Sequence, residues 1–523
     1  MLKNKEKIKK VLIIFLIIIM SGIIFFYQTK KVGLHEDESY SLCTSVNPNN
    51  GVIATQNKVI QDPIWRTKEY FQNAFTLTPN NILNFKALYL NQAYDNHPPF
   101  FYILVHFATL FFSGQFSMYS IFIVNIISYV TSCLIISKIL KLLNKKKLII
   151  PSLILYGLSM GTISMVIFQR MYMLLTLFIL LYFYLNVKLY KNNFTFNKNF
   201  TTQLGITTVL GFLTHYYFAI YAFFILGIIL IEMIKTKKDK KIILKYIILH
   251  IIYAIIGILT FVPCIKHLLF SDRGLNALGN TGYSAHLFEY LKHLAYAFSI
   301  NNSNVTVIII ALVLFAISTI ALYVKSKEKF IILITILPSI FYYFIVAKMT
   351  SFQELRYIMP IIPFVILAFF FILNEFIPFK YNYILFCIIA LVFVTNGIIF
   401  SKPLFLYENY KNILNIAEEN KNKSFVYIYD NSFNHMQSVS EMMIYNKTLI
   451  ININNNDLHY VINNDSLNNE DSYVLSIKSY MDNDLILNKI KEESNFKNIV
   501  LLYNIDDDNN SKVVMNNLYL VSK

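Results

Sequence analysis

Charge is scarce in this chain: Asp, Glu, Lys and Arg make up 15% of its 523 residues, against about 25% in a soluble globular protein. Glycine (14 residues) and proline (12) are scarce too, which excludes collagenous and Pro/Gly-rich disordered chains. The four cysteines, Cys43, Cys133, Cys264 and Cys387, are scattered. They have neither metal spacing nor the paired framework of a small secreted scaffold. No G-x-G-x-x-G or P-loop pattern occurs, so no loop is built to cradle a nucleotide. What the chain has in excess is apolar mass, with 45 Phe, 37 Tyr, 56% hydrophobic residues and a mean hydropathy of +0.51. That composition describes a polytopic membrane protein.

The apolar run 11–27 follows the basic flank MLKNKEKIKK. No small-residue cleavage site closes it, so it reads as an uncleaved first span with its N-terminus in the cytoplasm. Runs approaching the roughly 20 residues needed to cross the hydrocarbon follow near 116–137, 148–168, 171–190, 202–215, 217–234, 242–264, 304–324, 329–347, 357–377 and 382–400. This predicts an all-α polytopic fold of about 11 transmembrane helices over residues 1–400.

Lysine placement orients it. Of 46 basic residues, 23 fall in 1–10, 138–147, 188–198, 235–245, 325–329 and at Lys380, the segments assigned to the cytoplasm by the positive-inside tendency. The net charge of +16 therefore faces a lipid bilayer and not nucleic acid. The apolar stretch 98–112 is too short to span, and a crossing there would turn 138–147 outward. It is expected to dip into or lie along the outer leaflet, within the long outer loop 28–115. The tail 401–523 carries sixteen acidic and eleven basic residues. It also has β-like runs at 424–430, 448–453, 473–477, 499–505 and 517–521, which predict a small extracytoplasmic α/β domain.

The informative polar residues gather on the outer side. His35-Glu36-Asp37-Glu38 follows the first span, and Asp95-Asn96-His97-Pro98-Pro99 ends the first outer loop. Arg170-Met171-Tyr172 and His215 sit at outer turns, and Lys348, Glu354, Arg356 and Tyr357 fill the link before 357–377. Arg170 could meet a phosphate bidentately, or snorkel toward lipid headgroups. Lys348 and Arg356 carry the same two readings. His215 is either an interfacial polar residue or part of the site, and Tyr172, Tyr216 and Tyr357 suit a belt of interfacial aromatics. Asp95 and His97 could orient a substrate or, with Asp37, ligate a divalent metal. Residues 284–298 have the apolar spacing of an amphipathic helix on the outer surface. Asp482-Asn483-Asp484 reads as a solvated turn.

The Asp37-Glu38 pair after the first span, His97-Pro98-Pro99-aromatic, Arg170-x-Tyr172 and Arg356-Tyr357-x-x-Pro360-x-x-Pro363, in that order, resemble the bacterial glycosyltransferase family 39 proteins. These are fold class C (GT-C) enzymes related to protein O-mannosyltransferases and the lipid A aminoarabinose transferase. The resemblance covers roughly residues 1–400. It implies an inverting transfer of a sugar from a polyprenyl-phosphate donor to an extracytoplasmic glycan, lipid or protein, at a bacterial plasma membrane. By the same resemblance Asp37 matches the catalytic aspartate. A carboxylate suits that role, because a single displacement needs a base on the acceptor hydroxyl. Glu38 is its neighbour, and in an extended chain the two point opposite ways, so one of them at most faces the acceptor. A transporter or flippase of a lipid-linked sugar is the alternative reading, though such proteins place ionisable groups near mid-depth between repeated halves.

Overall fold

The computed structural model describes residues 2–48, 64–270, 283–298, 300, 305–350, 352–377, 382–429, 436, 438–453, 458–504 and 516–523. The chain divides into two compact units. One comprises Met1–Thr29, Asp95–Phe101 and Phe122–Leu404; the other comprises Lys30–Tyr94, Tyr102–Ile121 and Phe405–Lys523.

The first unit is a helix bundle. Among the described residues nine helices are long and apolar enough to cross a membrane, beginning with α1 (Leu2–Lys30), and ten if a bent pair counts as one span. The chain is thus a multi-pass membrane protein. The bent pair, Ile149–Leu158 and Met160–Ile167, breaks at Ser159, whose backbone is extended and whose hydroxyl accepts from the Thr162 N–H to cap the second half. The axis turns by 55° there. The expected span 202–215 is the 17-residue helix Lys198–Thr214, shorter than its neighbours. It packs between Tyr172–Lys191 and Lys240–Thr260.

Ion pairs group the lysine loops. Glu328 lies 3.7 Å from Lys145 and 2.8 Å from Lys191, and Lys238 donates to Asn193. Loops 138–147, 188–198, 235–245 and 325–329 therefore share one end of the bundle. Phe25, late in α1, meets Phe122, early in the helix Tyr119–Leu142, at 6.1 Å. The apolar helix between them, Phe100–Phe112, is about 20 Å long at 1.5 Å per residue.

The helix expected on the surface is Tyr283–Ala297, and it is built into the bundle. Tyr290 is fully buried, with its hydroxyl 2.6 Å from Thr350 Oγ1. Gly161 permits the approach, because a Cβ there would lie 2.6 Å from the Ala297 Cβ. An apolar stripe facing other helices looks the same in sequence as one facing lipid.

The second unit holds a six-stranded sheet of order β1-β3-β2-β4-β6-β5. Its strands are β1 (Trp65–Thr67), β2 (Ser424–Tyr429), β3 (Lys447–Asn452), β4 (Ser472–Lys478), β5 (Asn498–Tyr503) and β6 (Asn516–Ser522). The central three are parallel and the outer ones antiparallel. Asp430 and Ile505, the expected ends of two strands, lie outside the described residues. β1 comes from the long outer loop, so the sheet is completed by residues far from the tail in sequence. Its core joins Val426, Ile428, Leu449, Ile451, Leu475 and Ile477, each fully buried side chain contributing about 1.5–3 kcal/mol. Asp482 is a helix cap, accepting from the Leu485 N–H at 3.0 Å.

Glu441 is buried in this unit, and burial pushes its carboxyl up to about 7, while the Ser438 and Tyr410 hydroxyls and the Lys478 ammonium oppose the rise without prevailing. An acid raised above its unfolded value of 4.5 lends stability below that pH and loses it as pH climbs through 7. The difference is about 3 kcal/mol at roughly 1.4 kcal/mol per unit. Glu441→Gln is therefore expected to raise the unfolding midpoint at pH 8 and change it little near pH 4.5. The emission of Trp65, the single tryptophan, reads this out, and a difference independent of pH would refute it.

Candidate functional site

At the end of the bundle opposite the lysine loops, side chains from four segments meet. Asp95 and Arg170 are buried, and the His97 side chain is nearly so. Asp95 Oδ2 lies 2.8 Å from His97 Nδ1, and His97 Nε2 lies 3.3 Å from Arg170 Nη2. A guanidinium can only donate, so Nε2 accepts and the Nδ1–H donates to Asp95. The three form one chain from carboxylate through imidazole to guanidinium. Burial pushes the Asp95 carboxyl up, but the His97 ring, the Asn96 backbone N–H and the Arg170 charge outweigh it and hold it below its ordinary value.

Arg170 is placed by the turn after the Met160–Ile167 helix. Its N–H bonds the Phe168 carbonyl at 2.8 Å. Asn125, fully buried in a neighbouring span, donates to the Val166 and Phe168 carbonyls at 3.2 and 2.8 Å. Sequence reading passed over Asn125; its signal is a lone amide in an otherwise apolar span.

Aromatic rings bind the remaining members together. Tyr172, which is buried and so no belt residue, lies 5.4 Å from His215 and 5.8 Å from Tyr357, and stacks on Phe168 at 6.3 Å. His215 caps the C-terminus of its helix and is 6.1 Å from His97. Its Nδ1 accepts from the Tyr217 N–H at 3.1 Å, which leaves the proton of the neutral ring on Nε2. The Arg356 guanidinium packs over Phe168 at 5.5 Å and Tyr357 at 5.1 Å. Asp95, His97, Arg170, Tyr172, His215 and Arg356 thus share one cluster of two guanidiniums and two imidazoles. Lys348 is half-buried in the last turn of Lys329–Met349.

Asp37 and Glu38 belong to the other unit. They are not extended but open the helix α2 (Glu36–Val46), where His35 is the N-cap and an acidic first turn meets the positive end of the helix dipole. Successive helical residues diverge by about 100°, and the two acids part accordingly. Asp37 is 31% exposed. Glu38 is fully buried, with Oε1 3.0 Å from Lys31 Nζ and Oε2 accepting from the His35 N–H at 2.7 Å. Burial draws the Lys31 ammonium below the ordinary lysine range, against the pull of Glu38. Nothing in the sequence around it singles out Lys31.

The donors do not fit a metal. Asp95 and Arg170 engage both ring nitrogens of His97, and a cation on Nε2 would face the guanidinium. Among the described residues no group of three His, Cys, Asp or Glu is arranged around a common point.

A cavity of about 830 Å³ lies among the helices Tyr283–Ala297, Val305–Lys325, Lys329–Met349 and Ile362–Phe376, with an almost wholly apolar wall that includes none of these site residues.

No protein-family model matches the chain, and no curated protein matches it in sequence. Among solved structures, ArnT from Cupriavidus metallidurans, bound to undecaprenyl phosphate, superposes with a TM-score of 0.55 at 8% identity over 98% of this chain and 97% of its own. The fold is GT-C. The oligosaccharyltransferase of Archaeoglobus fulgidus, in complex with Zn and sulfate, is similar over 81% of this chain and 61% of its own at 12% identity, with a TM-score of 0.47. The GT-C architecture is the broader class; the narrower family 39 pattern rests on the sequence motifs.

His97→Leu leaves the Asp95 carboxylate buried without its donor and is expected to cost about 2–4 kcal/mol. Asp95→Leu with His97→Leu should recover part of this. Thermal unfolding in detergent measures both, and a single variant no less stable than the double would contradict the pairing.

Proposed function

We propose that this protein is a membrane glycosyltransferase that moves a sugar from a polyprenyl-phosphate donor to an extracytoplasmic acceptor with inversion, Asp37 acting as general base. The observation that carries the reading is the buried cluster at one end of a GT-C bundle in which the Arg170 and Arg356 guanidiniums stand with the His97 and His215 imidazoles. The similar ArnT structure holds undecaprenyl phosphate, and a cluster of this kind suits the phosphate of such a lipid. The apolar cavity in the bundle is of a chemistry that accepts hydrocarbon.

In the proposed step the Asp37 carboxylate takes the proton of the acceptor hydroxyl as its oxygen bonds to the anomeric carbon. The bond from that carbon to the phosphate oxygen breaks, its electron pair leaves with polyprenyl phosphate, and the configuration inverts. The Arg170 and Arg356 guanidiniums, with Lys348, meet the charge that develops on the leaving phosphate. Asp95 holds the tautomer of His97, and Tyr172 and His215 line the sugar. No step passes through a metal. The lysine-rich end faces the cytoplasm. The cluster then faces outward, where a lipid-linked donor replaces a nucleotide sugar.

A carrier of lipid-linked sugar would need responsive groups at mid-depth. His250, halfway along its helix, has both nitrogens engaged, by the Tyr182 hydroxyl at 2.8 Å and the Tyr246 carbonyl at 2.8 Å, which favours a structural part for it.

Asp37→Asn is expected to lower sugar transfer from a polyprenyl-phosphate donor by about 10²-fold or more, with insertion and thermal stability retained. Near-normal turnover in that variant would falsify the assignment of the base.

A further inference from the structure

We propose that the buried Lys31–Glu38 ion pair, tied to the turn at 405–407, is a latch that positions Asp37, which makes Lys31, Glu38 and Tyr407 positioning residues for the transfer. The inference rests on Asp37 being the base. It assigns a part in the reaction to the segment that leads into the C-terminal sheet.

The connections of the latch all lie within one unit. Lys31 Nζ lies 3.0 Å from Glu38 Oε1, with both side chains fully buried, and donates to the Phe405 carbonyl at 2.7 Å. The Val32 N–H donates to the Leu406 carbonyl at 2.8 Å. The Tyr407 ring lies 4.3 Å from Lys31 Nζ and stacks on His35 at 6.2 Å. Gly33, at φ +72°, lies so close to Tyr410 that a Cβ would come within 2.4 Å of its ring. From these ties the geometry runs straight to Asp37. Glu38 Oε2 accepts from the His35 N–H at 2.7 Å, and His35 Nδ1 accepts from the Asp37 N–H at 3.1 Å.

Two physical arguments favour positioning over simple stability. A buried ion pair gains little over apolar residues of the same size, so its use points to specificity of arrangement. The turn that receives it is also held in costly backbone, Phe405 at φ 69° and Tyr407 at φ 54°, a conformation non-glycine residues keep only where surrounding contacts enforce it. The pair also decides which neighbouring acid faces out. With Glu38 drawn inward onto Lys31, Asp37 is left presented. Misplacement of a reacting group by about 1 Å is enough to lose roughly 10²-fold in rate.

The test uses the full chain in detergent or nanodiscs, with Lys31→Met/Glu38→Gln as the main variant. It removes both charges together and keeps an acceptor for the His35 N–H, so neither ion is stranded. Backbone amide exchange over residues 33–42 should quicken about tenfold or more. Transfer should lose about tenfold or more in kcat with the donor KM unchanged, and Lys31→Arg should behave nearly as wild type. Tyr407→Ala, which leaves the pair and the cap in place, should move the same exchange and the same kcat. Unchanged exchange or unchanged kcat in the folded double variant, or in Tyr407→Ala should the double variant fail to fold, overturns the proposal. Asp37→Asn assayed in parallel tests the base by itself. Normal turnover there removes that reading, while the exchange data still decide whether the latch exists.

Discussion

A charge withdrawn from water has to be met by another, and two of the buried carboxylates in this chain show how the structure is arranged to do so. In the bundle the Asp95 carboxylate is answered by His97 and, beyond it, by Arg170. In the sheet unit Glu38 is answered by Lys31. These chains do not tolerate small displacements. Hydrogen bonds weaken steeply off their geometry, and a buried ion that loses its partner is left with its full desolvation penalty. Asn125 and the strained turn at 405–407 are the supports that such demands call for.

The spans were legible because a bilayer imposes a crude and unmistakable demand, about twenty apolar residues in a row. The break at Ser159 was not, since a serine capped by its own hydroxyl interrupts a helix without interrupting hydrophobicity. The strand runs of the tail were legible from their apolar cores, while β1 was hidden. Three residues, Trp65 to Thr67, carry no periodicity of their own and become a strand only by pairing with β3. The helix Tyr283–Ala297 shows the same limit from the other side: the existence of the element could be read, its surroundings could not.

The polar motifs divide in a similar way. Ordered dipeptides and tripeptides pointed to Asp95, His97, Arg170, Tyr172, His215 and Arg356, which the fold gathers into one cluster. Lys31 was invisible because a lysine after a span is the commonest of interfacial residues. Nothing local distinguishes one that snorkels to water from one sealed over a glutamate. The neighbouring acids illustrate the point most sharply. The sequence offers Asp37 and Glu38 on equal terms, and only the helix that begins at Glu36 turns one inward and leaves the other partly exposed.

The place of the bundle cluster is tied to the helix that carries Tyr172. The helix Tyr172–Lys191 is about 29 Å long at 1.5 Å per residue, close to the roughly 30 Å of hydrocarbon in a bilayer. Lys191 at one end is held 2.8 Å from Glu328, and Tyr172 at the other is packed between His215 and Tyr357. A slip of one residue would shift Tyr172 by 1.5 Å and swing it through about 100°, away from both rings. Packing along this largely buried helix therefore holds the register of the aromatic end, about one hydrocarbon thickness from the lysine end. A transferase working on a lipid phosphate needs a stationary site at that level. A carrier needs one whose depth can be reached from either side, and an anchored helix of this kind resists that.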